Sequence, residues 1–272
     1  MNYFTCPVCS ELLNLNESKK SYICSKNHVF DRAKSGYVNL FQGKGNVHGD
    51  NKFMVNARKN FLEKGYYSHL LESLCISLEK YVKDGNFILD AGCGEGYYTA
   101  GIYNYFSNKN NIDICGIDIS KTAVDSASKK NKNISYAVGS IFNMPVADAK
   151  ADVIINIFAP FCQSEFLRVL KPDKFLVMVI PSENHLWSLK KAVYDVPYKN
   201  EVKDYKIEGF KFISSEKICR NIHLKSNQDI MNLFSMTPYY YKTGKKEQER
   251  LSLLDTLDTE TEFEILIYRE DC

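Results

Sequence analysis

From Asn86 to Ile180 the chain alternates short apolar runs with stretches patterned at helical spacing. Phe87-Ile88-Leu89-Asp90 predicts a first strand, Ile112–Asp118 a second, Ile134–Val138 a third, Asp152–Phe158 a fourth and Phe175–Ile180 a fifth. The fourth run is apolar almost throughout, as a parallel strand buried on both faces must be. Between these runs, Tyr97–Phe106, a segment from Ser120 to near Lys130 and a short stretch ending at Phe166–Leu170 predict helices. Strands alternating with helices predict an α/β fold with a parallel sheet covered on both faces. Leu170-Lys171-Pro172 reads as a turn before the fifth strand.

The flanks are patterned differently. Ala57–Phe61 and Leu70–Tyr81 carry apolar residues at helical spacing. After Pro181 the pattern is less regular, with a helix near His185–Val193 and a late strand at Glu262–Tyr268. Before residue 41 there are only short signals, a strand at Tyr22-Ile23 and a turn and strand over Gly36–Leu40. Residues 42–51 hold three glycines and read as a loop or linker. The chain therefore divides into a small module (1–41), a linker with helices (42–84) and an α/β domain (85–272).

The first strand runs into Leu89-Asp90-Ala91-Gly92-Cys93-Gly94-Glu95-Gly96. Gly92, Gly94 and Gly96 let the backbone turn sharply and let a ligand lie against it. The spacing is G-x-G-x-G, not the G-x-G-x-x-G that seats a pyrophosphate on a helix N-terminus. With Asp90 ahead of the first glycine, a ligand without phosphates and with positive charge fits better, and S-adenosylmethionine is one. Asp118 ends the second strand, where a carboxylate can accept both hydroxyls of a ribose. Asn156 and Pro160 lie where the fourth strand ends, the edge at which ligands of open α/β sheets sit. There Asn156 offers hydrogen bonds to a purine edge and Pro160 shapes a base slot; alternatively, Pro160 only ends the strand.

The small module carries Cys6, Cys9, Cys24 and His28, spaced C-x2-C and C-x3-H on either side of a hairpin. That is the ligand set of one tetrahedral zinc, structural because all four positions are filled. The other six of the nine cysteines are scattered and read as reduced thiols, mostly buried. Composition is ordinary, with 44% apolar and 25% charged residues. No apolar run approaches the ~20 residues of a membrane helix, and Met1–Thr5 shows no signal-peptide pattern, so the expectation is a cytoplasmic protein with no membrane partner. The net charge of +2 is unevenly spread: residues 1–64 carry +5 and the remainder −3. A basic head suggests a phosphate-rich partner, with Lys19, Lys20, Lys26, Arg32 and Lys34 as candidate contacts; a solvated surface is the competing reading.

Several stretches together resemble the RlmA-type 23S rRNA (guanine-N1)-methyltransferases. They are Cys6-Pro7-x-Cys9, Tyr22-Ile23-Cys24, His28-x-Phe30-Asp31, Ala33-Lys34-x-Gly36-Tyr37-Val38-Asn39-Leu40, Ala57-Arg58, Phe61-Leu62, Gly65-x-Tyr67, Gly92 to Thr99, Ala159-Pro160 and Met236-Thr237-Pro238. The sequence departs from the family pattern at Phe161-Cys162-Gln163. The resemblance implies a Rossmann-like class I methyltransferase fold, S-adenosyl-L-methionine as methyl donor, and one structural Zn2+ on Cys6, Cys9, Cys24 and His28. It adds Tyr67, Tyr97, Tyr98 and His185 to the cofactor contacts. It implies methylation of guanine N1 in a hairpin of 23S ribosomal RNA, read by the zinc module. A homodimer and a bearing on macrolide-type antibiotic sensitivity are further implications. Two other readings stay open at this stage: a methyltransferase for a small molecule or protein with a purely structural zinc, and a non-catalytic RNA-binding protein.

Overall fold

The computed structural model describes residues 3–43, 49–201 and 204–271. Of the loop expected over 42–51, residues 44–48 lie outside the described residues, as does Cys272.

The chain opens with three short antiparallel strands, β1 (Asn14–Leu15), β2 (Ser21–Ile23) and β3 (Val29–Asp31). The next strand, β4 (Val38–Asn39), leaves this hairpin and joins the large sheet. Helices α1 (Lys52–Glu63) and α2 (Ser68–Leu78) follow. The α/β core then runs through β5 (Phe87–Ala91), α3 (Tyr97–Phe106), β6 (Asp113–Asp118), α4 (Lys121–Lys130), β7 (Ser135–Val138), β8 (Ala151–Ile157), α5 (Gln163–Val169) and β9 (Leu170–Pro181). Beyond it lie α6 (Trp187–Val193), β10 (Phe210–Leu224), α7 (Asn227–Ser235), α8 (Tyr239–Lys242), α9 (Lys245–Ser252) and β11 (Leu257–Glu270).

The eight-stranded sheet has the order β10-β11-β9-β8-β5-β6-β7-β4. Its centre is parallel, as the alternating pattern requires, and β11 runs antiparallel between β9 and β10. The sheet is therefore mixed rather than wholly parallel. The turn expected at Leu170-Lys171-Pro172 is a bulge inside β9: Ala151 faces Leu170 while Val153 already faces Phe175, and Asp173 takes a positive φ of 61°. β10 was not legible as a strand. As the sheet's edge it is exposed along most of its length, so no in-and-out alternation marks it.

Successive strand residues serve opposite faces. Ile88, Val153, Ile155 and Val177 pack under the helical layer with Leu70, Leu74, Ile102 and Phe234. Phe87, Leu89, Ile154 and Leu176 face a second cluster that includes Tyr3, Phe4, Leu13 and the zinc-module cysteines Cys6 and Cys24. The N-terminal module is thus part of the core. Tyr3 stacks on Phe87 with ring centroids 4.5 Å apart, and burying each ring contributes about 1.5–3 kcal/mol. The edge of the same module is stitched down where Val38 and Asn39 pair with Ala137 and Val138.

Candidate active site and metal centre

The metal hairpin brings its four donors to one point. All lie within 4.8 Å of one another. Cys6 Sγ and Cys24 Sγ stand 3.5 and 3.4 Å from His28 Nδ1, and Cys9 Sγ is 3.7 Å from Cys24 Sγ. In a tetrahedral site with Zn–S bonds of ~2.3 Å, neighbouring sulfurs sit about 3.8 Å apart, so the spacing fits zinc without rearrangement. The His28 backbone N–H donates to Cys24 Sγ at 3.3 Å. Burial pushes the Cys24 thiol up, but the N–H groups of His28 and Lys26 outweigh it and hold it down at about 7, favouring the thiolate a metal needs. Arg32, expected to meet phosphate, is instead occupied inside the module: Nε donates to Gly36 O at 3.0 Å and Nη1 to Lys19 O at 3.1 Å.

Apart from the hairpin, the C-terminal ends of β5, β6, β8 and β9 open into a cavity of about 1090 Å³. Asp90, Gly92, Gly94, Tyr97, Tyr98 and Asp118 line it, and so do Tyr67, Pro160 and His185. Gly96 does not. It stands behind the loop with φ at 79°, where a Cβ would meet Ala127 Cβ at 2.7 Å, so it sets the packing of α3 against α4. Gly92 works in the same way at the cavity wall: its φ is 94° and a Cβ would lie 2.4 Å from Ala159 Cβ.

Asp118 accepts from Gly94 N at 3.0 Å and from Ser120 N at 2.8 Å, which fixes both carboxylate oxygens; burial pushes its pKa up against those two bonds. Asp90 is buried and takes one bond, from Thr99 Oγ1 at 2.6 Å; its Oδ1 has no hydrogen-bond partner. Burial above all, with the charges of Asp118 and Glu95 behind it, raises Asp90 to about 7. Glu95 Oε1 is also buried without a hydrogen-bond partner, with Lys130 Nζ 3.6 Å away. Asp90 and Glu95 both contribute to the cavity wall, and an acidic wall of this kind suits a cationic group. His185 accepts from Glu262 N at its Nδ1, 3.2 Å, and burial lowers it to about 3. The ring is therefore neutral and carries its proton on Nε2. Tyr67 is buried, packed edge-on against Phe61 and Phe263, and burial pushes its phenol upward.

Asn156 differs from its sequence reading. Its Nδ2 donates to Ala91 O at 3.3 Å and to Pro160 O at 2.9 Å, and the side chain does not line the cavity. Both amide hydrogens are spent on holding the glycine loop to the end of β8, so they are not offered to a base. The remaining lining comes from chain far from the glycine loop. Asp50 and Arg58 form an ion pair at one wall, and Arg58 Nη2 reaches Met236 O at 3.5 Å. Ile119, Ile141 and Phe142 make an apolar slot beside Asp118, Tyr239 lines the interior, and the exposed Phe158, Tyr198, Tyr241 and Lys242 form the outer rim. Arg58 and Met236 were noticed in the sequence only as family residues; nothing in their spacing shows that they meet across 178 positions.

These residues fit S-adenosylmethionine: a carboxylate for a ribose, an apolar slot for a base, the singly hydrogen-bonded carboxyl of Asp90 for positive charge and one guanidinium for a carboxylate. Among the described residues no helix is long and apolar enough to cross a membrane.

Comparison with known proteins agrees with this division. Residues 4–44 match the model for the RlmA N-terminal zinc ribbon, and residues 82–237 match a methyltransferase-domain model. The Bacillus subtilis protein named "Putative 23S rRNA (guanine-N(1)-)-methyltransferase YxjB" is 31% identical over 275 residues, 97% of this chain and 96% of its own. The 23S rRNA (guanine(748)-N(1))-methyltransferase of Streptomyces fradiae is 31% identical over 196 residues, 71% of this chain and 68% of its own. The YcgJ protein of Bacillus subtilis superimposes with a TM-score of 0.51 at 16% identity, over 75% of this chain and 99% of that one, which speaks for the fold alone. With the zinc-ribbon match lying on the four-donor hairpin and relatives of one activity spanning the sheet and cavity, this chain belongs to the RlmA-type 23S rRNA (guanine-N1)-methyltransferase family.

Proposed function

We propose that the protein transfers a methyl group from S-adenosyl-L-methionine to N1 of a guanosine in a hairpin of 23S ribosomal RNA, with the zinc module gripping the RNA. The observation that carries this is the cavity itself: it is acidic at the glycine loop, aromatic at its rim, and at about 1090 Å³ stands at the upper end of the ~300–1000 Å³ typical of ligand sites. It has room for a cofactor and a base together.

In this reading Asp118 holds the ribose, and Ile119 and Phe142 cover the adenine. Asp90 and Glu95 face the amino-acid end, where Arg58 exchanges Asp50 for the carboxylate. Tyr67, Tyr97, Tyr98 and His185 close the walls. When bound, S-adenosylmethionine supplies a methyl on a sulfonium, already a good leaving group. The protein's part is to align guanine N1 with that carbon and to keep water away, which is where positioning lowers the barrier. As N1 takes the methyl, the N1–H proton would pass to water at the cavity mouth, and neutral His185 adds no competing positive charge. The target base must leave its stack to reach a cavity of this depth. The basic hairpin would meet RNA backbone through Lys19, Lys20, Lys26 and Lys34, whereas Arg32 braces the fold. A cytoplasmic site of action and a homodimer accompany this reading.

The test is in vitro methylation of deproteinised 23S rRNA, followed by primer extension. A single stop one nucleotide 3′ of a guanosine is expected. Methyl transfer to a metabolite or protein panel with none to RNA would sink the assignment.

A further inference from the structure

The geometry points to Phe158 as the platform on which the target guanine stacks. This rests on the reading of the cavity given above. Phe158 is the residue after β8, and its φ of 53° lies in the left-handed region, where a bulky L-residue sits only when its surroundings force it. The forcing is visible. Phe158 N donates to Val179 O at 3.1 Å. Asn156 Nδ2 ties Pro160 O and Ala91 O together across the turn. Ala159 is wedged against Gly92, where even a methyl group would not fit. The turn is thus bolted to the cofactor loop on one side and to β9 on the other.

The product of this strain is an aromatic ring held in the open. Phe158 rests against Phe263 (centroids 5.5 Å apart) and meets Tyr98 edge-on at 6.5 Å, yet it is 45% exposed and lines the cavity. A turn that only ended β8 would need neither the strained φ nor a large apolar ring turned toward water. Strained backbone together with an exposed ring beside the methyl-donor loop is what a base-stacking surface requires. Tyr241 at the rim is exposed as well, but it sits in a helix with ordinary backbone and its hydroxyl is engaged with Met54 Sδ at 2.7 Å, so no strain is spent on presenting it.

The experiment compares zinc-loaded full-length protein with Phe158→Leu, Phe158→Trp and Phe158→Gly, using 23S rRNA and measuring single-turnover methylation, S-adenosylmethionine affinity by calorimetry and Tm. Phe158→Leu keeps apolar volume and loses the π-face; kcat/KM for RNA should fall about 5- to 150-fold with cofactor affinity and Tm unchanged. Phe158→Gly, which relaxes the backbone, should lose activity equally, and Phe158→Trp should retain it. Activity of Phe158→Leu equal to that of the unaltered protein would overturn the proposal, because the ring would then only fill space. Cofactor affinity falling in step with activity would also overturn it, by placing the ring in the cofactor seat. If the unaltered protein methylated no RNA, the RNA assignment itself would fall, and the platform with it.

Discussion

The metal hairpin and the cofactor cavity both assemble polar atoms that find no full complement within the chain, but they do so over different distances. The hairpin gathers three thiols and an imidazole from 23 residues of chain, and two sequence pairs with a fixed spacing suffice to specify it. The cavity gathers carboxylates and aromatic rings from Gly49 to Lys242. The hairpin's donors satisfy one another's geometry through one ion. The cavity's groups are held apart: Asp90 keeps one oxygen without a hydrogen bond, Glu95 faces Lys130, and Asp118 is pinned by two backbone N–H groups. A local site can be rigid because its ligand stays; a site that must release product keeps its groups fixed individually and its centre open.

The sharpest way to break the comparison is to remove the metal. Cys24→Ala or chelation should cost the hairpin a contribution on the order of 10–16 kcal/mol, as in zinc-finger peptides. Zinc content by mass spectrometry and amide exchange over residues 6–31 should report its loss, together with loss of RNA binding. S-adenosylmethionine affinity should stay within about threefold, because none of the hairpin's residues lines the cavity. Full RNA affinity in that variant would end the reader role.

Asp118→Ala should act in the opposite sense. It removes the carboxylate proposed to hold the ribose and leaves Gly94 N–H and Ser120 N–H without their partner, which should weaken cofactor binding by about 10- to 100-fold. RNA binding by the hairpin should persist. Asn156→Ala should come next, at about 1–2 kcal/mol of stability read from denaturant midpoints, since the buried carbonyl of Ala91 and the carbonyl of Pro160 lose their shared donor.

A smaller effect separates the two sites by pH. Asp90 is raised to about 7 in the ligand-free protein, so the folded state binds this proton more tightly than the unfolded chain does. Its ionisation therefore opposes folding progressively as pH rises from about 4 to 7, and the ligand-free protein should gain stability as pH falls through that window. A cationic ligand requires the ionised form, so S-adenosylmethionine affinity should fall by at most about tenfold per unit below pH 7. Calorimetry in buffers of different ionisation enthalpy should detect the released proton, and Asp90→Asn should flatten the profile. Smallest of all, Cys219→Ser on the exposed edge strand should change stability by no more than about 0.5 kcal/mol and leave both sites untouched.

These contrasts also explain what the sequence could tell. The helix Tyr97–Phe106 was readable to the residue and the next was readable as starting behind Ser120, which proves to be its cap, because glycine turns and helix starts are local signals. The zinc ligands were readable for the same reason. Most of the scattered cysteines did prove buried or half-buried, but Cys219 is exposed, since it lies on β10, whose polar residues on both sides gave no strand pattern. Helix α7 carries a legible start, Ser226 capping Asp229 N, yet its use was not: Asp229 is buried under Lys64 Nζ at 2.5 Å and Tyr66 OH at 2.9 Å, partners more than 160 residues earlier. The same limit applied to Arg58 and Met236. Asn156 was placed on the right strand end, but no local pattern reveals that its amide is consumed by the backbone of two loops.

The pairing of β4 with β7 carries a consequence for how the chain survives its own synthesis. β7 would be a sheet edge with open backbone N–H and C=O groups, and Tyr136, Ala137 and Val138 on it are buried. Such an edge invites pairing with another molecule unless something covers it. The cover is supplied by the strand that follows the zinc hairpin, about a hundred residues earlier in the chain. It emerges first and must wait for its partner. Zinc supply then bears on colloidal behaviour too: a chain that lacks the metal keeps its cavity but leaves its edge guard loose, and should aggregate more readily than the loaded protein as concentration rises.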